Sequence, residues 1–475
     1  MKKITKKSRL FLYGAAGFGV NMLNLIIGTY LCDALMTQGF GANIEHWTYL
    51  NKTLVVAGVW SVMITVAKIL DGFIDIPFAA FTDNLKTRWG RRRPAIVMGF
   101  IPMLLAYLLF LVPLTSDAES ILNTIWFGLL LCIFYAFYTL TMVTYYATFS
   151  EITVSDEDRV SLSNYKTVFD VIYFILGYAL IPAMIGGMNI RLIALIFAPL
   201  SLTMVIPLFM IKEKSTLPQS AESDDKNTEV ADNGKESSSD EEQKLEYVGL
   251  VKSLKYSLKN KAFVLWMLVF AALQFSLQLF LAGQNVLYSG AMMLDGSRIA
   301  IVMACAFAPV PLTLILYNKI VRARGIRYGY IFSLLAYMLS MTMMIFCRAD
   351  IITDVNTRMV VACIGAVISS FGTGCFFSIN YTVPSALAAM EERQNGISHP
   401  AMYFAVQGLA SGIATAISTG LVWVNLKKIG DGAYTWIMPI IVIAGCLISL
   451  LLSMVLPKEI NEIGKTNKIT TEEKL

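Results

Sequence analysis

Apolar runs of about 20 residues recur along the whole chain, and each matches as a helix the thickness of a bilayer's hydrocarbon core. Transmembrane strands alternate apolar and polar residues, and these runs do not. More than half of the 475 residues are apolar and only 15% are charged, too few to coat a soluble domain of this length. The chain therefore reads as a polytopic, all-α integral membrane protein.

Twelve runs stand out: 10–31, 53–75, 95–114, 122–147, 166–188, 191–211, 262–285, 298–317, 328–347, 358–384, 400–424 and 435–456. The basic N-terminus precedes a run of spanning length with no small-residue cleavage site, so no cleavable signal peptide is expected. Most of the 38 Lys and Arg fall in the loops and tails on the side of both termini. The positive-inside rule then places both termini in the cytoplasm of a cell-membrane protein. That placement explains the basic patches without nucleic acid as a partner. The seven Cys lie in or at the ends of apolar runs with no CxxC spacing, and read as small buried hydrophobes.

Residues 212–246 break the pattern. They are Ser-rich, acidic and without Phe or Trp, and cannot bury enough surface to fold alone. The following KLEYVGLVKSLKYSLKNKAF can lie as an amphipathic helix along the inner face. The organisation expected is a six-helix bundle over 1–211, a cytoplasmic linker over 212–260, a second bundle over 261–457 and a tail over 458–475. A weak repeat supports two related halves. DNLKTRWGRR from Asp83 and NKIVRARGIR from Asn318 align without gaps, pairing Gly90 with Gly325 and Arg92 with Arg327. Two six-helix bundles joined by a long inner loop resemble the major facilitator plan, in which substrate sits near the midplane between halves that rock.

The second run carries Lys68, Asp71 and Asp75, spaced to share one helix face. A charge at mid-bilayer costs several kcal/mol and marks a functional site by default. Two carboxylates one turn apart can ligate Na⁺, or their repulsion can make one of them a proton carrier. Gly72 and Pro77 are expected to loosen the helix and free carbonyl oxygens. The alternative is an ion-pair cluster that only holds helices together, with Lys68 a displaceable counter-charge or a structural one. Five Lys or Arg follow within Lys86–Arg93. Arg88, Arg91 and Arg92, with Asp83, can latch the cytoplasmic side, and the same charges orient the chain.

At these residues the sequence resembles the glycoside–pentoside–hexuronide:cation symporters of the major facilitator superfamily. Three stretches carry the resemblance: YGAAGFGVN at Tyr13–Asn21, KILDGFIDIPFAAFTDNLKTRWGRRRP, and EITVSDEDRVSLSNYK at Glu151–Lys166. The resemblance implies that Asp71 and Asp75 bind the coupling cation beside Lys68. It places Asn21, Tyr138, Tyr146 and Lys166 (or Thr167) at the sugar site. The family's helix-4 Asp falls at Met142 and its helix-11 Lys near Gly412, Ile76 splits its Asp-Pro pair, and Ala79 replaces a glycine. Asp170 either replaces the helix-4 carboxylate or caps the aqueous entrance.

In the second half Gln274, Gln278 and Asn285 share a face of the seventh run; Asn380 and Tyr381 lie in the tenth and Gln407 in the eleventh. Such amides bind hydroxyls or join helices. Asn285 and Asn380 are the choices for closing a sugar cavity. His46 and His399 are far apart and support no metal or triad site. No P-loop, GxSxG, HExxH or CxxC pattern occurs, so neither ATP-driven transport nor hydrolysis has residues to carry it.

The expected function is cation-coupled symport of a glycoside, oligosaccharide or hexuronide by alternating access, with Na⁺ or H⁺ as the coupling cation and no cofactor. Asp71 and Asp75 form the only metal site expected, for Na⁺. The alternatives are a transporter of lysolipids or other amphiphiles, and a membrane sensor or scaffold that transports nothing.

Overall fold

The computed structural model describes residues 4, 6–40, 44–152, 156–213, 215, 259–395, 400–461 and 463. The linker beyond Ser215, the amphipathic segment before Lys259, His399 and the tail beyond Ile463 lie outside the described residues. So do the side chains of Asp83 and Tyr381.

Among the described residues, twelve helices are long and apolar enough to cross a membrane. Spans 1 to 6 are Lys7–Ala34, Ala57–Asp75, Arg92–Phe110, Ile121–Phe149, Val168–Ile185 and Ile190–Met210. Spans 7 to 12 are Lys261–Ala291, Gly296–Arg324, Ile326–Phe346, Val355–Phe376, Val406–Gly432 and Thr435–Met454. All twelve expected runs are found. Several helices outrun their apolar segment: span 2 continues to Asn84, and span 10 to Asn395. Among the described residues the chain is all-helical, apart from one isolated bridge between Val55 and Ser120.

Short polar side chains start several spans by accepting from backbone N–H groups of the first turn. Asn189 does so for span 6, Asn260 for span 7 and Asp295 for span 8. Side chains such as Val62, Leu105, Leu129 and Ile315 are more than 40% exposed, the surface a bilayer would cover.

Two features repeat between the halves. Gly90 and Gly325, paired by the sequence repeat, both take a positive φ, +86° and +93°, at the corner before the next helix. A side chain would strain that corner. Spans 1, 5, 7 and 11 each contain a π-helical turn, at Ile26–Leu31, Leu176–Leu180, Leu287–Ala291 and Ala416–Trp423. Spans 1 and 7 occupy equivalent places in the two halves, as do spans 5 and 11. Such turns shift the register of a helix face and concentrate at functional sites.

With twelve spans among the described residues, the start of span 1 at Lys7 and the end of span 12 at Met454 lie on one side, here the near end. Between described residues, the hydrogen bonds and ion pairs that cross between halves all lie at the opposite, far end. The Ser61 hydroxyl donates to the Gly420 carbonyl at 2.5 Å, and Asn425 donates to Ser61 at 3.2 Å. Below them Gly72 and Gly412 let spans 2 and 11 touch: a Cβ on Gly412 would lie 3.1 Å from the Gly72 Cα.

Candidate functional site

Between the halves lies a cavity of about 470 Å³, walled by spans 1, 2, 4 and 5 on one side and 7, 10 and 11 on the other. Its size suits a small ligand. Its wall mixes amides, hydroxyls and aromatic rings: Asn21, Asn24, Tyr135, Tyr138 and Tyr173 face Gln274, Gln278, Asn380 and Thr415. Trp60, Asp33 and Trp423 line it toward the sealed far end. Asn21 and Asp33 both lie on span 1, about 18 Å apart by helical rise, which gives the cavity its depth.

Asn21 is the centre of a polar network. Its amide N–H donates to Asp170 Oδ1 at 3.3 Å, and its carbonyl oxygen accepts from the Tyr138 hydroxyl at 3.1 Å. Asp170 also pairs with Lys166, one turn earlier on the same helix. Spans 1, 4 and 5 are thereby tied together at one level. Lys166 and Tyr146 do not line the cavity: the Lys166 amine sits 5.2 Å from the centre of the Tyr146 ring, which is 39% exposed. Asp170 thus joins Asn21, Tyr138 and Lys166 in one polar cluster. The helix-4 position at Met142 is buried against Gly17.

Span 2 differs from the sequence reading at Gly72 and Pro77, and Lys68 does not make the ion pair of the alternative reading. The helix runs unbroken from Ala57 to Asn84 with Pro77 inside it, and Gly72 serves close packing against Gly412 rather than unwinding. A proline removes one N–H without opening the helix when the flanking turns are held by neighbours. Among the described residues Lys68 forms no salt bridge; its amine lies 3.8 Å above the Tyr135 ring and borders the cavity. Asp71 instead accepts from the Thr139 hydroxyl of span 4 at 2.8 Å. A Cβ on Gly408 of span 11 would lie 3.8 Å from Asp75 Oδ2.

Neither acid lines the cavity; both sit just below it, between spans 2, 4 and 11. Among the described residues no group of three or more His, Cys, Asp or Glu forms. A cation held by Asp71 and Asp75 would draw further oxygens from a hydroxyl such as that of Thr139, from carbonyls or from water. The oxygen-only donor set fits Na⁺.

In the second half Asn380 lines the cavity and its side-chain oxygen accepts from Gln407 at 2.6 Å; Gln407 in turn accepts from the Trp266 indole at 3.0 Å. Gln274 donates to Ser411 at 3.1 Å. Asn285 lies away from the cavity. It shares a helix face with Gln274 and Gln278 but is 1% exposed. At its level the halves have already met, so the face that borders the cavity lower down is buried there.

At the near end Arg92 is buried. Its backbone N–H donates to Glu213 Oε2 at 2.9 Å, and its guanidinium to the Thr82 hydroxyl at 3.3 Å. Thr82 lies in the first half and Glu213 at the start of the linker. Arg88 is exposed and Arg91 half-buried.

The sequence reading missed the far-end contact altogether. Asp33 Oδ1 accepts from the Trp423 indole at 2.8 Å and from the Lys427 amine at 3.1 Å. Asp33 is on span 1, Trp423 and Lys427 on span 11. The expected runs ended at 31 and 424, which left both charges to outer loops. The apolar Leu35 and Met36 beyond Asp33 were the available signal.

Twelve spans in two halves, a cavity between them and polar side chains converging on it define a membrane transporter of the major facilitator type. The sequence matches the family described as MFS/sugar transport protein over residues 12–456, and the chain belongs to that family. No curated protein matches the chain. Among solved structures it is similar to the nucleoside transporter NupG (15% identity, TM-score 0.60, covering 95% of this chain and 98% of that one). It is also similar to a bacterial homologue of the human lysosomal transporter Spinster, in an inward-facing, unoccupied conformation (13%, 0.58, 95% and 98%). A POT family transporter in complex with 5-aminolevulinic acid is similar to the same degree (14%, 0.60, 95% and 96%). At such identities these structures speak for the fold.

Proposed function

We propose that the protein is a cation-coupled sugar symporter working by alternating access. One observation carries this reading: a polar, aromatic-walled cavity sealed at the far end, with an Asp pair on span 2 directly beneath it. Tyr138 and Tyr173 offer ring faces to a pyranose. Asn21, Gln278 and Asn380 offer amides that both donate to and accept from hydroxyls. The charge bias of the loops supports the near end as the cytoplasmic side, and the sealed far end then fits an inward-facing state.

Asp71 and Asp75 bind the coupling cation. They share span 2 with Lys68, which faces the cavity, and span 2 packs on span 11 of the opposite half. Charge at the pair is thereby read by the ligand wall and by the inter-half contact together. Cation binding raises substrate affinity, and by linkage substrate raises cation affinity equally.

The test is a thermal-shift screen of purified protein against glycosides, hexuronides, nucleosides and lysolipids, with and without Na⁺. The reading expects stabilisation by a sugar that grows with Na⁺ or with proton concentration. Stabilisation by lysolipids alone would replace it with the amphiphile reading. No response to any ligand or cation would favour a scaffold.

A further inference from the structure

Away from the central cavity, a second hollow of about 470 Å³ opens on the outside of the bundle at the near end. Span 8 supplies one wall with Lys319, Ile320, Ala323 and Arg324; span 9 supplies the other with Tyr328 and Phe332 among others. The two walls diverge from the corner at Gly325, and Ala323, small and exposed, leaves the space between them. Below the rim the surface is apolar, and Phe332 and Tyr328 are 43% and 55% exposed. At the rim, the Arg324 guanidinium stands 6.0 Å from the Tyr328 ring centre.

The cations are the telling part. Lys319 and Arg324 are exposed, and among the described residues neither has an ion pair. Arg324 ends its helix, where a cation is favoured by the helix dipole. Lys319 has no such reason. It lies about 7.5 Å further into the span by helical rise, on a face turned outward from the bundle. An amine there must snorkel to the headgroup level, its stem along the apolar wall. Two unpaired cations above an apolar trough complement one molecule: a phosphate-bearing headgroup with an acyl chain.

We propose that this hollow is a binding site for an anionic phospholipid. The phosphate sits between Lys319 and Arg324 beside Ala323, the aromatic rings of Tyr328 and Phe332 flank the glycerol region, and an acyl chain runs deeper along Ile331 and Leu335. The proposal is independent of what the central cavity carries.

Native mass spectrometry of the full-length protein in detergent tests it, with phosphatidylglycerol, phosphatidylcholine or glycerol phosphate added. The wild type should retain phosphatidylglycerol in preference to phosphatidylcholine. Lys319→Ala/Arg324→Ala should abolish that preference, by about fivefold per cation removed. Lys86→Ala, an exposed near-end cation outside the hollow, should leave it intact. If the double variant does not purify folded, Ala323→Trp, which fills the hollow between the two cations and keeps both charges, should abolish the preference as well. No preference in the wild type, or a preference that survives both variants, overturns the site. Binding of glycerol phosphate as tight as that of the lipid overturns the acyl trough.

Discussion

Asp33 and Lys427, almost 400 positions apart in sequence, meet at 3.1 Å across the junction of the two halves, and both are buried. The Trp423 indole holds the same carboxylate oxygen, while the other oxygen, Oδ2, has no partner. A buried pair of this kind contributes little net stability, but breaking it from one side is costly. Removing one partner strands the other charge, at about 3–5 kcal/mol. Lys427→Met should therefore lower the melting temperature clearly. Asp33→Asn/Lys427→Met should recover most of that loss while weakening the far-end seal. A cysteine placed at Ser61 should then label faster from the far side in the double variant than in the parent.

Asp71 depends on Thr139 in the same sense. The hydroxyl donates to a carboxylate, a bond worth about 1.5–3 kcal/mol and 2.8 Å long here. Thr139→Val should raise the cation concentration needed for half-maximal transport about tenfold or more, and Thr139→Ser should restore it. Transport measured against cation concentration checks this. An unchanged cation dependence would separate Thr139 from the coupling site.

Asn21 satisfies Tyr138 and Asp170 at once, so Asn21→Ala leaves a cavity hydroxyl without its acceptor and a carboxylate with one donor fewer. Substrate affinity should fall by about tenfold, with the melting temperature changed far less. Isothermal titration with the ligand found in the screen gives the number.

These three contacts show how much of the molecule the sequence carried. Spans are legible because each is decided locally, by twenty apolar residues meeting one bilayer. The acids of span 2 are legible because a charge in such a run stands out. Lys68 pairing with a ring rather than with Asp71 is not legible, since Tyr135 arrives from another helix. Asn285 lies off the cavity because a helix face is continuous in sequence, whereas a cavity ends where the halves touch. Asp33 and Lys427 escaped because each sits at the frayed edge of its run, and only the meeting of spans 1 and 11 makes them partners.

Gly72 and Gly412 bring spans 2 and 11 within backbone contact just above Asp75. Overpacking a close contact costs about 1–3 kcal/mol. Gly412→Leu should cut transport severely with a modest loss of thermal stability, because the halves can no longer seat against each other. Uptake and melting temperature measured on one preparation distinguish this from simple unfolding.

The central claim is that the span 2 carboxylates couple a cation gradient to substrate movement. Proteoliposomes containing wild type or Asp75→Asn, loaded against an imposed Na⁺ or H⁺ gradient, test it directly. Wild type should concentrate the sugar above its outside level, and Asp75→Asn should bind it yet fail to accumulate it. If Asp75→Asn still concentrates sugar against its gradient as the wild type does, the carboxylate pair is not the coupling site.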